Sequence, residues 1–289
     1  MQGNHKSLIC RFLLREAGVL EPIGHRRKEV FELMIDYLYD GTFEGLLTCV
    51  YYNYYEEKAA GIFKKESYQS TLLSGFKIIA TEEEKATKVY DAIERKISRD
   101  DLRRIYRVFL SNIENKETVI LKYVQLGFKE GSNVSSFHSN PIVFNVQQIE
   151  KKVSFEVHRL AGLVRFTILK INHDKFAEEE FHQEILYSCI EPDHDVLELM
   201  AGHFADRFKN EPFIIHDKAR GKAVFAQGGI WYISDFNNTD LLVQVKDEKL
   251  YQELWKEYFT SIAIKERINP RCQKRFMPIR YWKNLTEFQ

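Results

Sequence analysis

The residues best suited to chemistry cluster at Glu191, Asp193, His194 and Asp195, with Pro192 between them. Carboxylates and an imidazole this close together can exchange protons with a substrate or share a metal ion. The aspartates also suit a structural role. Asp193 or Asp195 can cap a following helix, and Glu198, three residues after Asp195, can complete a capping box. Glu191 and His194 are harder to explain that way. His216 and Asp217 make a second pair, with Arg220 just beyond. A carboxylate next to an imidazole can orient it for proton transfer, although polar pairs are ordinary at strand ends. Glu156, His158 and Arg159 make a third group, followed by Arg165. Adjacent His and Arg can clamp a phosphate, and a solvated helix end accounts for them equally well. His203, Asp206 and Arg207 form a polar ledge, but no His-x-x-x-His pair occurs, so no zinc site is expected.

The C-terminal segment offers a different chemistry. Between Lys265 and Lys283, the cations Lys265, Arg267, Arg271, Lys274, Arg275, Arg280 and Lys283 stand against one acid, Glu266, and are interleaved with Phe276, Tyr281 and Trp282. Cations neutralise phosphates while aromatic faces stack on unpaired bases, a combination suited to single-stranded or flipped nucleic acid. The structural alternative is a basic tail docked over the domain, with Phe276 and Trp282 as buried anchors. Arg103, Arg104 and Arg107 would extend the basic surface or form an ordinary solvated helix face.

The elements that position these groups follow from periodicity. Residues 33–39 read as a strand and Phe43, Leu46, Leu47, Val50, Tyr51 and Tyr54 as one face of a helix. Thr81 and Glu84 form a capping box for a second helix. Two more follow, one from about Asp100 and one around Val119 to Val124. The polar stretch 130–145 reads as a linker, and residues 146–160 as a fifth helix with Val146, Ile149, Val153, Val157 and Leu160 in register. The pattern then changes. Residues 163–171, 185–190, 213–215, 223–226 and 230–233 read as strands, and Gly228-Gly229 as a hairpin turn. An acidic loop holds Glu178, Glu179 and Glu180. Helices are expected from Val196 to Phe208 and over 247–267, the latter stopped by Asn269-Pro270. The expected class is α+β: a helix-rich N-terminal half, and a mixed β-sheet with packed helices in the C-terminal half. Three regions are expected: an extension over 1–32, with Leu8, Ile9, Phe12 and Leu13 on one helix face, a mainly helical region over 33–145, and an α+β region over 146–289.

Composition agrees with a folded, helix-rich chain. Of 289 residues 44% are hydrophobic and 29% charged, and Gly (14) and Pro (6) fall short of the roughly 12% of average usage. Lys+Arg and Asp+Glu balance at 42 each, so any polyanion site must be local. Cys10, Cys49, Cys189 and Cys272 form no Cys-x-x-Cys pair, which leaves zinc ribbons, iron–sulfur clusters and dithiol redox chemistry without support. Scattered thiols suit a reducing cytoplasm. No apolar run approaches the ~20 residues of a membrane span, and Arg11 and Arg15 interrupt the first apolar stretch too soon for a signal peptide. There is no phosphate-binding glycine loop and no Gly-x-Ser-x-Gly elbow. No cofactor is indicated.

Several strings follow one another in a fixed order: Tyr39-Asp40-Gly41-Thr42-Phe43-Glu44-Gly45-Leu46-Leu47, His158-Arg159, Ile190-Glu191-Pro192-Asp193-His194, Phe204-Ala205-Asp206-Arg207, Ile215-His216-Asp217, Asn269-Pro270-Arg271, and Arg275-Phe276-Met277-Pro278 with Arg280-Tyr281-Trp282-Lys283. With them the chain resembles a bacterial family assigned to DNA metabolism or DNA repair, whose biochemistry is largely uncharacterised. The resemblance covers about residues 35–288. Its members accompany a radical-SAM protein that carries a helix-hairpin-helix DNA-binding region, and some are fused to a uracil-DNA-glycosylase-like domain. The resemblance therefore implies DNA and that radical-SAM protein as partners. Because this chain lacks a Cys-x-x-x-Cys-x-x-Cys loop, radical chemistry would belong to the partner.

The resulting expectation is a cytoplasmic DNA-repair or DNA-modification protein without membrane association. Its DNA-binding residues would be Arg159, Arg165, Arg207, Arg271, Lys274, Arg275, Arg280, Tyr281 and Trp282. A polar pocket of His158, Glu191, Asp193, His194, His216 and Asp217 would carry acid–base attack on a base or its glycosidic bond. The alternatives are a non-catalytic adaptor that presents DNA to the radical-SAM protein, and a metal-dependent hydrolase using the His/Asp residues.

Overall fold

The strand expected at the start of the domain forms as β1 (Ile35–Tyr39), its last four residues buried. The computed structural model describes residues 35–70, 75–171, 184–237, 242–245 and 247–289. The helix face at Leu8 to Leu13 and the acidic loop at Glu178 lie outside the described residues. β1 is the middle of a three-stranded parallel sheet, flanked by β2 (Ala59–Lys64) and β3 (Gly75–Ile78). Neither flanking strand is legible in the sequence. Gly61 interrupts one, and the other is four residues long.

Four helices pack around this sheet: α1 (Phe43–Tyr55), α2 (Glu83–Lys96), α3 (Arg99–Phe109) and α4 (Lys116–Glu130). Asp40 organises the first of these. Its carboxylate accepts from the Thr42 amide at 2.9 Å and from the Thr81 hydroxyl at 2.7 Å, while the Thr42 hydroxyl caps α1 by accepting from the Gly45 amide at 3.0 Å. The expected capping box of Thr81 and Glu84 therefore does not form: Thr81 is held by Asp40, Glu84 pairs with Lys88, and α2 starts after Glu82.

The segment expected as a linker is ordered instead. A short 3-10 turn (Gly131–Ser136) leads to α5 (Pro141–Leu163), which is capped by Asn140 and opens on proline, whose missing amide costs nothing there. At 23 residues this helix serves both cores. Val143, Val146 and Ile149 pack with Tyr37, Leu46, Ile105 and Tyr123; Val153 and Leu160 pack with Phe204, Phe213 and Tyr281. α5 also takes up the arginine stripe, because Glu150 accepts from Arg104 at 2.8 Å and from Arg107 at 3.1 Å.

The second half is a six-stranded mixed sheet in the order β8-β7-β6-β5-β4-β9. The strands are β4 (Thr167–Ile171), β5 (Glu184–Ile190), β6 (Phe213–Asp217), β7 (Lys222–Gln227), β8 (Ile230–Asp235) and β9 (Leu242–Gln244). β5 and β6 run parallel, linked by α6 (Leu197–Arg207); the other neighbours are antiparallel. Gly228 and Gly229 turn β7 into β8 with φ of 63° and 79°, a turn that only glycine enters freely. The class is α+β. The last expected helix divides. α7 (Glu248–Ser261) ends early, and Asn269-Pro270 starts the short α8 (Pro270–Phe276) instead of stopping a long one. Asn caps and proline follows at the first helical position, where both residue types are favoured.

Candidate functional site

The loop 191–196 leaves the carboxyl end of β5, and the turn 218–221 leaves that of the parallel β6. Crevices beyond parallel strand ends are where open α/β sheets place ligands. The carboxylate of Glu156, on α5, sits beneath the first loop. It is 2% exposed and accepts from the amides of Asp193 (3.0 Å) and His194 (2.8 Å), from the Tyr281 hydroxyl (2.6 Å) and from Arg280 (3.1 Å). Burial alone would raise its pKa, but these donors hold it below the usual carboxylate range.

Arg220 closes the network from the other side. It donates to the carbonyls of Pro192 (3.1 Å) and Asp193 (2.6 Å) and to Asp217 (2.8 Å). Asp217 is completely buried. Burial pushes its carboxyl up against the opposing pull of Arg220. His194 is buried, and its Nδ1 accepts from the Asn112 amide at 3.2 Å. Burial lowers its pKa against the charge of Glu156 and favours the neutral ring. Glu191 pairs with Lys283, and Asp193 with Arg280.

The structure thus joins Asp193, His194, Asp217, Arg280 and Tyr281 in one network around Glu156, with the Glu191–Lys283 pair as a separate contact of the same loop. It does not bring in two other expected members. His216 points to the other face of β6, as alternation along a strand requires, and meets the Tyr187 hydroxyl at 2.8 Å and the Phe236 ring at 5.0 Å. His158 is exposed on α5. The capping expected of Asp193 or Asp195 is also absent. α6 begins after Val196 without a side-chain cap, and Glu198 instead accepts from the Tyr106 hydroxyl. Glu156, Arg220 and Leu110 hold the backbone of the 191–196 loop so that Val196, and neither aspartate, stands at the N-cap position.

Seven of the nine expected DNA-binding residues separate into two groups. Arg165 pairs with Glu287 at 2.7 Å, Arg280 and Tyr281 belong to the Glu156 network, and Trp282 stacks on Phe288 at 4.4 Å. These are tied into the fold. Arg271, Lys274 and Arg275 on α8 are exposed and enter no ion pair among the described residues, and Phe276 beside them is 64% exposed. Phe276 is therefore displayed, not buried as an anchor. Arg159 is half-buried on α5, and Arg207 lies over the Phe208 ring.

A cleft of about 1270 Å³ opens beside the network. Its lining includes the connection from α3 to α4 and, where that connection ends, Lys116, which periodicity and motif do not mark. Leu110 O accepts from the Asp195 amide at 2.9 Å, and the next carbonyl, Ser111 O, accepts from the Lys116 ammonium, as does Phe109 O. Lys116 is 9% exposed, and burial, aided by Lys64, lowers its pKa to about 8. The Asp195 carboxylate has no hydrogen-bond partner among the described residues. Phe43, Phe63, Tyr106 and Phe109 supply aromatic walls, and Lys64 and Lys222 supply cations with no ion pair among the described residues. Nothing in the sequence singles out Lys116, since its surroundings come from three distant segments. Among the described residues, no group of three or more His, Cys, Asp or Glu side chains is placed to hold a metal ion. None of the described helices is long and apolar enough to cross a membrane.

Fold and site define an α+β protein with a polar loop at parallel strand ends and a large aromatic-walled cleft. The chain belongs to the DUF4130 family, a domain of unknown function whose model matches residues 114–287, more than half of its length. No curated protein matches the chain, and no solved structure matches it.

Proposed function

We propose that this is a cytoplasmic DNA-metabolism protein that binds DNA through α8 and acts on it, or presents it to a radical-SAM, helix-hairpin-helix partner. One observation carries the DNA reading. In a segment where Arg280 and Lys283 both pair with carboxylates, Arg271, Lys274 and Arg275 stay exposed and, among the described residues, unpaired, beside an exposed phenylalanine. Unpaired cations are the ones able to release counterions from phosphates, and an exposed ring is the one able to stack on a base. The partner rests on the family resemblance given above.

The test is binding of labelled single- and double-stranded DNA across a salt series, for the wild type, Arg275→Ala and Phe276→Ala. Removing one cation from a phosphate should flatten the slope of log K against log salt by about 0.7–0.9. Arg275→Ala is expected to lower that slope, and Phe276→Ala to weaken mainly the single-stranded form. Absence of binding at low salt, in every strand form, removes the reading.

A further inference from the structure

We propose that the cleft is a carbonyl-capturing site in which the Lys116 amine attacks an aldehyde and Asp195 serves as the proton acceptor. This rests on the DNA reading for its substrate class: the open-chain aldehyde at C1′ of a deoxyribose that has lost its base. The geometry supports the assignment in three ways. The amine is fixed by two backbone carbonyls, Phe109 O and Ser111 O, and not by a carboxylate. No described acid therefore holds it as a permanent ammonium. Asp195 is anchored through its amide to the adjoining carbonyl, Leu110 O, so the chain at both residues is held by consecutive carbonyls of one turn, and both line the cleft. The surrounding space, about 1270 Å³ with Phe43 and Tyr106 on its wall and Lys64 and Lys222 among its lining cations, has room for a nucleotide and cations for its flanking phosphates.

The groups that act on the charge of Lys116 are Lys64 and Arg220, which oppose it, and Glu117 and Asp195, which favour it. Burial is the largest influence and acts together with Lys64 and Arg220 against the two acids, so a substantial neutral fraction exists near pH 8. A desolvated lysine amine is an established form of carbonyl nucleophile. The neutral amine adds to the aldehyde carbon, and the carbinolamine hydroxyl takes a proton from solvent and leaves as water, giving a protonated imine. Asp195 then takes a proton from C2′, the electron pair moves toward the imine nitrogen, and the 3′ phosphate departs from C3′. No oxidant or reductant enters. Hydrolysis of the remaining imine returns the amine.

The full chain is mixed with an oligonucleotide carrying one abasic site and treated with sodium borohydride, which reduces an imine to a permanent adduct. In parallel it is treated with pyridoxal 5′-phosphate and borohydride, and the labelled peptides are mapped by mass spectrometry. The expected result is a protein–DNA adduct located at Lys116. Lys116 should also be labelled preferentially by pyridoxal phosphate, half-maximally near pH 8. Lys116→Arg keeps a donor for the two carbonyls but cannot form the imine, and should lose both adducts while binding intact DNA as the wild type does. DNA binding with no adduct at Lys116 by either probe overturns the imine proposal alone. Lys116 labelling by pyridoxal phosphate without any DNA binding overturns the DNA reading and leaves the amine chemistry standing. Adducts that persist in Lys116→Arg overturn the assignment to this residue.

Discussion

Tyr281 donates a 2.6 Å hydrogen bond to Glu156, 125 residues earlier in the chain, and so ties the C-terminal segment to the middle of α5. Both residues are buried. The same carboxylate holds the amides of Asp193 and His194, so a single side chain sets the position of the strand-end loop and of the C-terminal segment.

Removing either partner should therefore reach well beyond one hydrogen bond. Tyr281→Phe removes one donor to a charged group and is expected to cost about 1.5–3 kcal/mol. Glu156→Ala leaves the Tyr281 hydroxyl and the Asp193 and His194 amides without their acceptor, while Arg280 keeps Asp193, and at about 1–3 kcal/mol per unsatisfied group is expected to cost about 3–5 kcal/mol. Urea denaturation of the two variants measures this. Equal, small losses in both would show that Glu156 is not the hub.

Stability should also fall on mild acidification. His194 and His216 both have pKa values lowered, mainly by burial, so the folded state keeps them neutral while the unfolded chain protonates them near 6.5. A folded pKa below the unfolded one means that the unfolded state binds more protons under about pH 6.5. Stability is then complete above that pH and declines below it, down to the folded pKa, by at most about 1.4 kcal/mol per pH unit for each histidine. Glu156, with its lowered pKa, adds a second loss that begins only below about pH 4.3. Denaturation midpoints between pH 7.5 and 5.5 check the first window. His216→Phe should flatten the dependence there, and a curve unchanged by that substitution would assign the acid sensitivity elsewhere.

Much of this architecture is written in local pattern, and the exceptions have physical causes. β1, the hairpin at Gly228-Gly229 and the valine and isoleucine face of α5 are visible because side-chain period and turn chemistry agree. β2 and β3 are not, because parallel strands pair through distant backbone and need no alternation of their own. Glu156 has a legible signal. It lies three residues after Val153 and four before Leu160, a charge on an otherwise apolar stripe, which in a buried helix face calls for a partner. Taking Val157 as the inward residue hides it; Val157 is only partly buried. Lys116 carries no such mark, and Asp195, conspicuous in its own cluster, gives no sign of sharing a cleft with it, since that cleft exists only after α3, α4 and the 191–196 loop have met.

The string around Asp40 and Gly45 is structural in a way that a single substitution can show. A Cβ at Gly45 would lie 2.4 Å from Asp40 Oδ1, 2.8 Å from Thr81 Oγ1 and 3.0 Å from Thr42 Oγ1, all fixed by the hydrogen bonds that cap α1 and dock the start of α2. Gly45→Ala is expected to destabilise by about 1–3 kcal/mol despite the better helix propensity of alanine. A thermal midpoint at or above that of the wild type would mean that these oxygens give way freely.

The last expectation separates DNA binding from folding. α8 has only seven residues and none of its side chains is buried, so little tertiary packing holds it. Its start depends on Asn269, whose side-chain oxygen accepts from the Cys272 amide at 3.0 Å. Asn269→Ala removes that bond at a cost of about 1 kcal/mol, enough to shift a short exposed helix strongly toward the open state while global stability changes by no more than that amount. If Arg271, Lys274 and Arg275 act as one helical face, this uncharged substitution should weaken DNA binding with nearly the same denaturation midpoint, and faster amide exchange should be confined to residues 270–277. Intact affinity accompanied by faster exchange would show that the cations work without the helix, as a charged tether and not a fixed surface.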